Sequence, residues 1–220
     1  MKVLVTGHKG YIGSKLYAEL KKLDYDVVGI DLKDGKSIDG CLPNQQFDCV
    51  FHLAALPSVQ FSVERPCYSL KNNVFCTSLL LNWAKNHGVR TFVFSSSAAA
   101  ANPSSPYGLQ KRMSEMECKL YSELYGLNTV SLRYFNVYSE DQPFSGAYST
   151  VISSWMHMIR TNRPLRIDGN GEQTRDFIHV DDVVRCNISC IGSKNLLGNV
   201  LDVGTGKSVS LKFIKNKIDS

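Results

Sequence analysis

Hydrophobic positions along the chain follow two alternating rhythms. Short, nearly continuous apolar runs occupy residues 2–6, 26–31, 48–53, 90–95 and 128–134. Such runs predict strands buried on both faces. Between them apolar residues recur at helical spacing. Ile12, Leu16, Leu20 and Leu23 mark a helix over 12–23. Leu70, Val74, Leu80 and Trp83 or Ala84 mark another over 66–87, stopped by Gly88. Met113, Met116, Leu120 and Leu124 predict a helix over 106–125, with these four side chains turned inward and Gly126 ending it. Strands separated by amphipathic helices predict an α/β fold, a doubly wound parallel sheet covered on both faces.

Beyond about residue 140 the rhythm changes. Residues 139–148 are polar and turn-rich. Helices are expected over 150–161, 181–192 and 208–218, and strands over 164–168 and 199–203. The chain therefore divides into a sheet domain over 1–140 and a mixed region over 141–220. The second contributes a small substrate lobe and returns to the sheet.

Ligands in doubly wound folds bind beyond the carboxyl ends of the strands. The first strand runs into Gly7-His8-Lys9-Gly10-Tyr11-Ile12-Gly13. Glycines there let the backbone turn sharply and approach a pyrophosphate, which the next helix meets with its N-terminal N–H groups. Asp31 ends the second strand, 18 residues beyond Gly13. A carboxylate at that point accepts from a ribose diol and repels a 2′-phosphate. The combination predicts a Rossmann dinucleotide site that takes NAD. Glycines serving only helix–strand packing are the alternative, and Lys33 keeps NADP open.

Tyr107 and Lys111 stand at i and i+4, on one face of a helix. A phenol is a poor base at neutral pH, but a neighbouring ammonium and the positive nicotinamide ring both favour phenolate. The spacing alone also suits a solvated helix face. Ser95-Ser96-Ser97 at the end of the preceding strand adds a hydroxyl able to bond a substrate oxygen beside the phenol.

Composition narrows the classes. Lys and Arg exceed Asp and Glu by 25 to 20, giving a net charge of +5. The basic residues are scattered, and no nucleic-acid module is present, so nucleic acid is not an expected partner. No apolar run approaches the roughly 20 residues that cross a bilayer. The seven cysteines are odd in number, lack C-x-x-C spacing and mostly lie in apolar segments. That pattern suits free thiols in a reducing cytoplasm, with no disulfide framework. The five histidines form no metal-ligating motif, and no metal is expected. His52 is read as structural.

These residues come in an order that resembles a known family. The glycine turn, His52-Leu53-Ala54-Ala55, Asn72-Asn73-Val74, Phe94–Ala98, Tyr107 with Lys111, Leu132–Tyr138 and Arg175–Asp182 together are similar to the extended short-chain dehydrogenase/reductases. Within these the chain most resembles the UDP-glucose 4-epimerase branch of the NAD-dependent epimerases and dehydratases. The resemblance implies NAD as cofactor and a nucleotide-sugar as substrate. The reaction would be an epimerisation, oxidation to a keto-sugar followed by reduction on its other face. It also implies roles for single residues. Tyr11 and Ile12 offer N–H groups to the pyrophosphate, and Leu53, Ala54 and Ala55 line the cofactor. Asn73 and Phe135 sit near the nicotinamide. Ser97, Tyr107 and Lys111 are catalytic, and Lys111 also holds the cofactor ribose. Asn136 and Arg175 hold the sugar nucleotide, Arg175 as a diphosphate clamp. Phe135 as mere core, and Arg175 as partner of Asp176 or Asp181, are the plain alternatives. Helices 66–87 and 106–125 resemble the pair that builds a homodimer interface.

The chain departs from the family pattern in three places. Only 16 residues separate Asp31 from Asp48, where the family fits a helix, a strand and an acidic adenine contact; Asp39 is a candidate remnant of that contact. Only nine separate Ser97 from Tyr107, which implies a more open sugar site. Family members continue well beyond Ser220, so the sugar-nucleotide lobe is expected to be small, as a natural minimal form or a fragment. Dehydratases carry an Asp-Glu pair after the catalytic serine or threonine. Ala98-Ala99-Ala100-Ala101 stand here instead and disfavour dehydration. A sugar reductase and a non-catalytic NAD-binding module remain as alternatives.

Overall fold

A computed structural model describes residues 1–146 and 149–219. Six parallel strands form the central sheet. They are β1 (Lys2–Thr6), β2 (Asp26–Ile30), β3 (Cys49–His52), β4 (Thr91–Ser97), β5 (Asn128–Tyr134) and β8 (Asn199–Val203), in the order β2-β1-β3-β4-β5-β8. The order reverses at β1, which places a crevice beyond the carboxyl ends of β1 and β3. Between Asp31 and Asp48 a 3-10 turn (Leu32–Asp34) and irregular chain replace any further strand, so β2 is the sheet edge.

Alternation along the strands feeds two cores. Val3 and Val5 of β1 point to one face. There they meet Leu16 and Leu20 of α1 (Tyr11–Lys22) and Val180, Val183 and Val184 of α7 (Val180–Ser189). Leu4, Val50, Phe92 and Phe94 point to the other, against Leu80, Leu81 and Ala84 of α4 (Cys76–Asn86) and Cys118 of α5 (Pro106–Tyr125). Each such side chain, fully buried, contributes about 1.5–3 kcal/mol. A small second sheet joins β6 (Asn136–Tyr138), β7 (Thr174–His179) and β9 (Ser208–Ser210), β6 parallel and β9 antiparallel to β7.

Several elements differ from the sequence expectation. The segment 66–87 is two helices, α3 (Pro66–Leu70) and α4, joined through a π turn over Lys71–Phe75. A short helix α2 (Val59–Glu64) precedes them, and α6 spans Val151–Arg160. Residues 164–168 are not a strand; they run as irregular chain, and the Arg166 carbonyl accepts from Trp155 Nε1 at 2.8 Å. The strand in this part is β7, inside the motif Arg175–Asp182. Residues 208–210 are β9, and helix α8 follows over Leu211–Asp219. The turn-rich stretch 139–148 is irregular as far as Gly146; its last two residues lie outside the described ones.

The apolar stripe of α5 points outward. Met113, Met116, Leu120 and Leu124 are 39%, 62%, 49% and 63% exposed. The face turned to the sheet carries Gly108, Lys111, Ser114, Glu115 and Cys118. Helical spacing reveals that a helix has an apolar face, but not whether its own sheet or another molecule covers that face. Here the polar face is needed at the crevice, so the apolar one is left outside. Leu70 and Leu23 are likewise exposed, while Leu80, Trp83 and Ala84 are buried. Among the described residues no helix is long and apolar enough to cross a membrane.

Candidate active site

The crevice begins at the glycine turn. Gly7 adopts φ +74°, and a Cβ there would lie 2.6 Å from the Ala54 nitrogen. A Cβ on Gly13 would lie 2.1 Å from the Gly7 carbonyl oxygen. Only glycine lets β1, the turn and α1 approach this closely. Helix α1 starts at Gly10 with no side-chain cap and no acid in its first turn. Its leading N–H groups therefore remain for an anion.

Two chambers sharing Ala55 extend along the crevice. One, of about 200 Å3, includes Asp31, Lys36, Ile38, Asp39 and Ala54 in its walls. The other, of about 130 Å3, runs past Gly10, Tyr11, Ile12 and Leu53 to Ser95, Tyr107 and Lys111. Asp31 closes the first chamber with its carboxylate already oriented: Oδ2 accepts from the Lys9 N–H and Oδ1 from the Lys33 N–H, both at 2.9 Å. Asp39, on the same wall, pairs with Lys71 at 3.4 Å.

The floor between the chambers is fixed by a buried relay. Thr77 Oγ1 donates to the Asn73 carbonyl at 2.8 Å. It therefore accepts from His52 Nε2 at 2.9 Å, and His52 Nδ1 accepts from Thr6 Oγ1 at 2.7 Å. Burial pushes the His52 imidazole down to about 3, so it stays neutral and structural. Asn73, expected beside the nicotinamide, is buried and turned to the loop instead. Its amide accepts from Leu56 N at 2.7 Å and donates to the Leu56 carbonyl and to Gln110 Oε1. It shapes the crevice through Leu56 without reaching it. Its neighbour Asn72 lines the first chamber.

Tyr107 and Lys111 meet at the far end. Ser105 caps α5 by accepting from Gly108 N at 3.2 Å, Pro106 starts it, and Tyr107 N donates to Ser62 Oγ of α2 at 3.1 Å. A Cβ on Gly108 would lie 2.6 Å from the Ala99 carbonyl oxygen. This contact is how so short a connection from β4 can reach α5. Lys111 is 3% exposed. Its ammonium donates to the Ser95 carbonyl at 2.7 Å and lies 5.9 Å from the Tyr107 ring centre. Burial pushes it down to about 8, against the raising effect of Cys118 and Glu115. Two other phenols line this chamber, and neither suits proton abstraction. Burial pushes Tyr11 up to about 12 and raises Tyr134 further.

Ser97 ends β4 and accepts from Ala99 N at 3.2 Å, capping the Ala98–Ala100 turn. An accepting hydroxyl still carries a proton to donate. The chamber wall itself is built from Ser95 and Ser96. Their hydroxyls are engaged by Tyr134 at 3.1 Å and Glu115 at 2.6 Å. Glu115 is almost fully buried and accepts from Arg133 Nε and Nη2, each at 2.8 Å. Burial opposes its charge, but the Arg133 and Ser96 hydrogen bonds hold its carboxyl below the usual range.

Phe135, expected near the nicotinamide, and Asn136 and Arg175, expected to hold the sugar nucleotide, are spread out. Phe135 is half-buried between β5 and β6, its N–H bonded to Val203. Asn136 donates to the Asp176 carbonyl at 3.0 Å. Arg175 is exposed and donates to the Thr174 carbonyl at 2.7 Å. It is not the partner of either nearby acid. The Asp176 carboxylate accepts from Thr205 and Gly206, and Asp181 pairs with His179. Sequence reasoning missed Tyr134, Leu56 and Pro57 as crevice residues. Leu56-Pro57 directly continues the His52–Ala55 motif, which was a usable signal; Tyr134 was masked by its place in an apolar strand.

Residues 3–204 match the NAD dependent epimerase/dehydratase family. The chain belongs to that family. It is 34% identical over 255 aligned positions to a putative UDP-glucose 4-epimerase of Methanocaldococcus jannaschii, covering 98% of this chain and 82% of that protein. Among solved structures it is similar to a UDP-N-acetylglucosamine 4-epimerase of Methanobrevibacter ruminantium in complex with UDP-N-acetylmuramic acid. That likeness has a TM-score of 0.89 at 32% identity, over 99% of this chain and 81% of that one. It is also similar to a UDP-glucuronic acid 4-epimerase of Bacillus cereus in complex with UDP-glucuronic acid and NAD. Here the TM-score is 0.84 at 30% identity, over 100% and 83% of the two chains. The glycine turn and uncapped helix start of this family member suit the dinucleotide. A Cβ at Gly7 or Gly13 would strike the chain's own backbone and force apart the turn that presents these N–H groups.

Proposed function

We propose that the protein is a nucleotide-sugar 4-epimerase that works on a UDP-sugar with NAD. The observation that carries this reading is the buried ammonium of Lys111 beside the Tyr107 ring, at the end of a crevice shaped for a dinucleotide. The names of the similar proteins supply the substrate class. Gly7, Gly10, Tyr11, Ile12 and Gly13 would hold the pyrophosphate, and Asp31 the adenosine ribose. Leu53, Ala54 and Ala55 would line the cofactor's path. NAD, when bound, would supply hydride-transfer chemistry, a place for the hydrogen of the sugar carbon with its bonding pair and the source from which it is returned. Tyr107 takes the proton of the substrate hydroxyl and gives it back to the keto oxygen after the sugar has turned. Lys111 stabilises the phenolate and bonds the ribose, while Ser97 donates to the reacting oxygen. Asn136 and Arg175 would orient the sugar nucleotide. Ala98–Ala100 supply no acid, which sets this reading apart from dehydration.

Incubation with UDP-glucose, UDP-N-acetylglucosamine and UDP-glucuronic acid, followed by NMR, tests the reading. Inversion at the 4-carbon is expected, and Tyr107→Phe should slow it by about a thousandfold. Net consumption of NADH would instead indicate a reductase. NAD binding without sugar-nucleotide binding would indicate a non-catalytic module.

The exposed Met113, Met116, Leu120 and Leu124 of α5, with Leu70 and Phe75 beside the π turn, support a homodimer through these helices. Sedimentation at micromolar concentration should show the dimer, and Met116→Glu should dissociate it. Seven free cysteines support a reducing, cytoplasmic location.

A further inference from the structure

The adenosine end of the crevice holds more charge than an NAD ribose requires. Three lysines surround Asp31. The N–H groups of Lys9 and Lys33 bond its carboxylate, and the N–H of Lys36 bonds its carbonyl at 3.2 Å. Lys36 also lines the chamber. Ammoniums so placed are the usual ingredients of a phosphate site. Two of them are drawn away. Lys33 Nζ donates to the Lys9 carbonyl at 2.9 Å. Lys9 Nζ forms an ion pair with Asp34.

Asp34 is itself held in place. Its second oxygen lies 3.2 Å from His8 Nε2. The His8 ring lies on Gly29, where a Cβ would come within 2.5 Å of ring atoms, and 5.1 Å from the Tyr17 ring. The Lys9 contact keeps the Asp34 carboxyl below the usual range, so it is charged at neutral pH.

We propose that Asp34, braced by His8, is a second determinant of the choice of NAD over NADP, acting by withholding Lys9 from an incoming 2′-phosphate. A phosphate monoester brings nearly two negative charges. It would meet two carboxylates, Asp31 and Asp34, while Lys9 is already engaged. Removing Asp34 deletes a repulsive charge and releases a cation next to the ribose position. The inference rests on the proposed placement of that ribose at Asp31.

Calorimetric titration of the cofactor-free chain with NAD and with NADP, at low and high salt, tests it. At low salt Asp34→Asn should shift the NADP-to-NAD affinity ratio toward NADP by about tenfold. In the Lys9→Ala background the same substitution should give a clearly smaller shift, from lost repulsion alone; the shift should also shrink at high salt and be absent in Asp34→Glu, which keeps the charge. His8→Gln, which loosens the brace, should move the ratio the same way by a smaller factor, and serves if Asp34→Asn does not fold. A change of less than about twofold in both Asp34→Asn and His8→Gln overturns the inference, as does a shift of undiminished size in the Lys9→Ala background. Asp31→Ala separates the two levels. Weaker NAD binding there with an unmoved ratio in Asp34→Asn removes only the role of Asp34. Unchanged NAD binding in Asp31→Ala removes the ribose placement and the inference together.

Discussion

The two ends of the crevice are built in different ways. The glycine turn and the Asp31 corner are built from backbone. The Gly7 and Gly13 positions have no room for a Cβ, α1 presents unbonded N–H groups, and main-chain donors orient the Asp31 carboxylate. Behind them the Thr6–His52–Thr77–Asn73 relay fixes the floor. On the proposed sugar side, Asn136 and Arg175 would act through side chains on β6 and β7, and Arg175 is exposed. A site formed by packed backbone is ready before its ligand arrives; one formed by long exposed side chains must be ordered by it, at an entropic cost. The comparison predicts that damage at the first end is large and confined to NAD, and damage at the second is small and confined to the sugar nucleotide.

The largest effect should come from Gly13→Ala. Its Cβ meets a carbonyl oxygen of the chain itself, so the turn or α1 must move. Overpacking of this kind costs about 3 kcal/mol or more, which corresponds to over a hundredfold in NAD affinity if the fold is kept. Calorimetry with NAD, alongside a thermal melt, checks this. Near-normal affinity would show that the turn is softer than its packing implies, and would break the comparison at its strong end.

Lys111→Met comes next and lies where the two ends meet. Its ammonium is pushed down to about 8 by burial, from an ordinary value of 10.5. The folded state thus penalises the charged form at every pH below about 8, and stability is regained as pH rises from there toward 10.5. Replacement removes that penalty but leaves the Ser95 carbonyl without its donor. The two effects offset to within about 2 kcal/mol, so the melting temperature should move little. Turnover should fall by about a hundredfold. In the wild type, turnover should decline as pH rises through about 8, where Lys111 loses its charge. A large loss of stability with turnover intact would make Lys111 a structural residue.

The neutral His52 gives a third, graded test. Its pKa lies near 3 in the folded chain against 6.5 ordinarily. Between these values only the unfolded chain takes up the proton, so stability falls as pH drops from 6.5 toward 3. The contribution is about 1.4 kcal/mol per pH unit. Urea unfolding at several pH values should show a steeper acid loss in the wild type than in His52→Asn, by about that slope. Equal slopes would mean that the relay does not carry the floor of the crevice.

The parts readable in advance share one physical reason: they depend on constraints that only a few residue types satisfy. Glycines at 7, 10 and 13, the acid ending β2 and the pair at i and i+4 on α5 each leave a local signature, and the sheet strands follow from continuous apolar runs. The parts that were not readable depend on what comes from elsewhere in the chain. Asn73 sits in a motif beside the crevice, yet the π turn rotates it toward Leu56 and Gln110. Met113 and Leu120 keep helical spacing whichever way the helix faces. Residues 164–168 carry three apolar or branched positions but find no strand to pair with, whereas 174–179 finds both β6 and β9.

Arg175 offers the smallest effect and the sharpest discrimination. Its guanidinium bonds only one carbonyl of its own neighbour in the contacts described, and Asp176 and Asp181 are committed elsewhere. Removing it therefore leaves no buried charge behind, and the melting temperature should stay constant. If it clamps the diphosphate, Arg175→Ala should raise KM for the UDP-sugar by about tenfold, the worth of a charge-assisted hydrogen bond at a site open to water. NAD affinity and turnover at saturation should be unchanged, because the interaction is the same in the ground and transition states. Arg175→Lys should recover only part of the loss, since an ammonium cannot hold two phosphate oxygens in a fixed fork. A fall in turnover instead of a rise in KM would place Arg175 in the chemistry, and would mean that the sugar side is as preorganised as the glycine side.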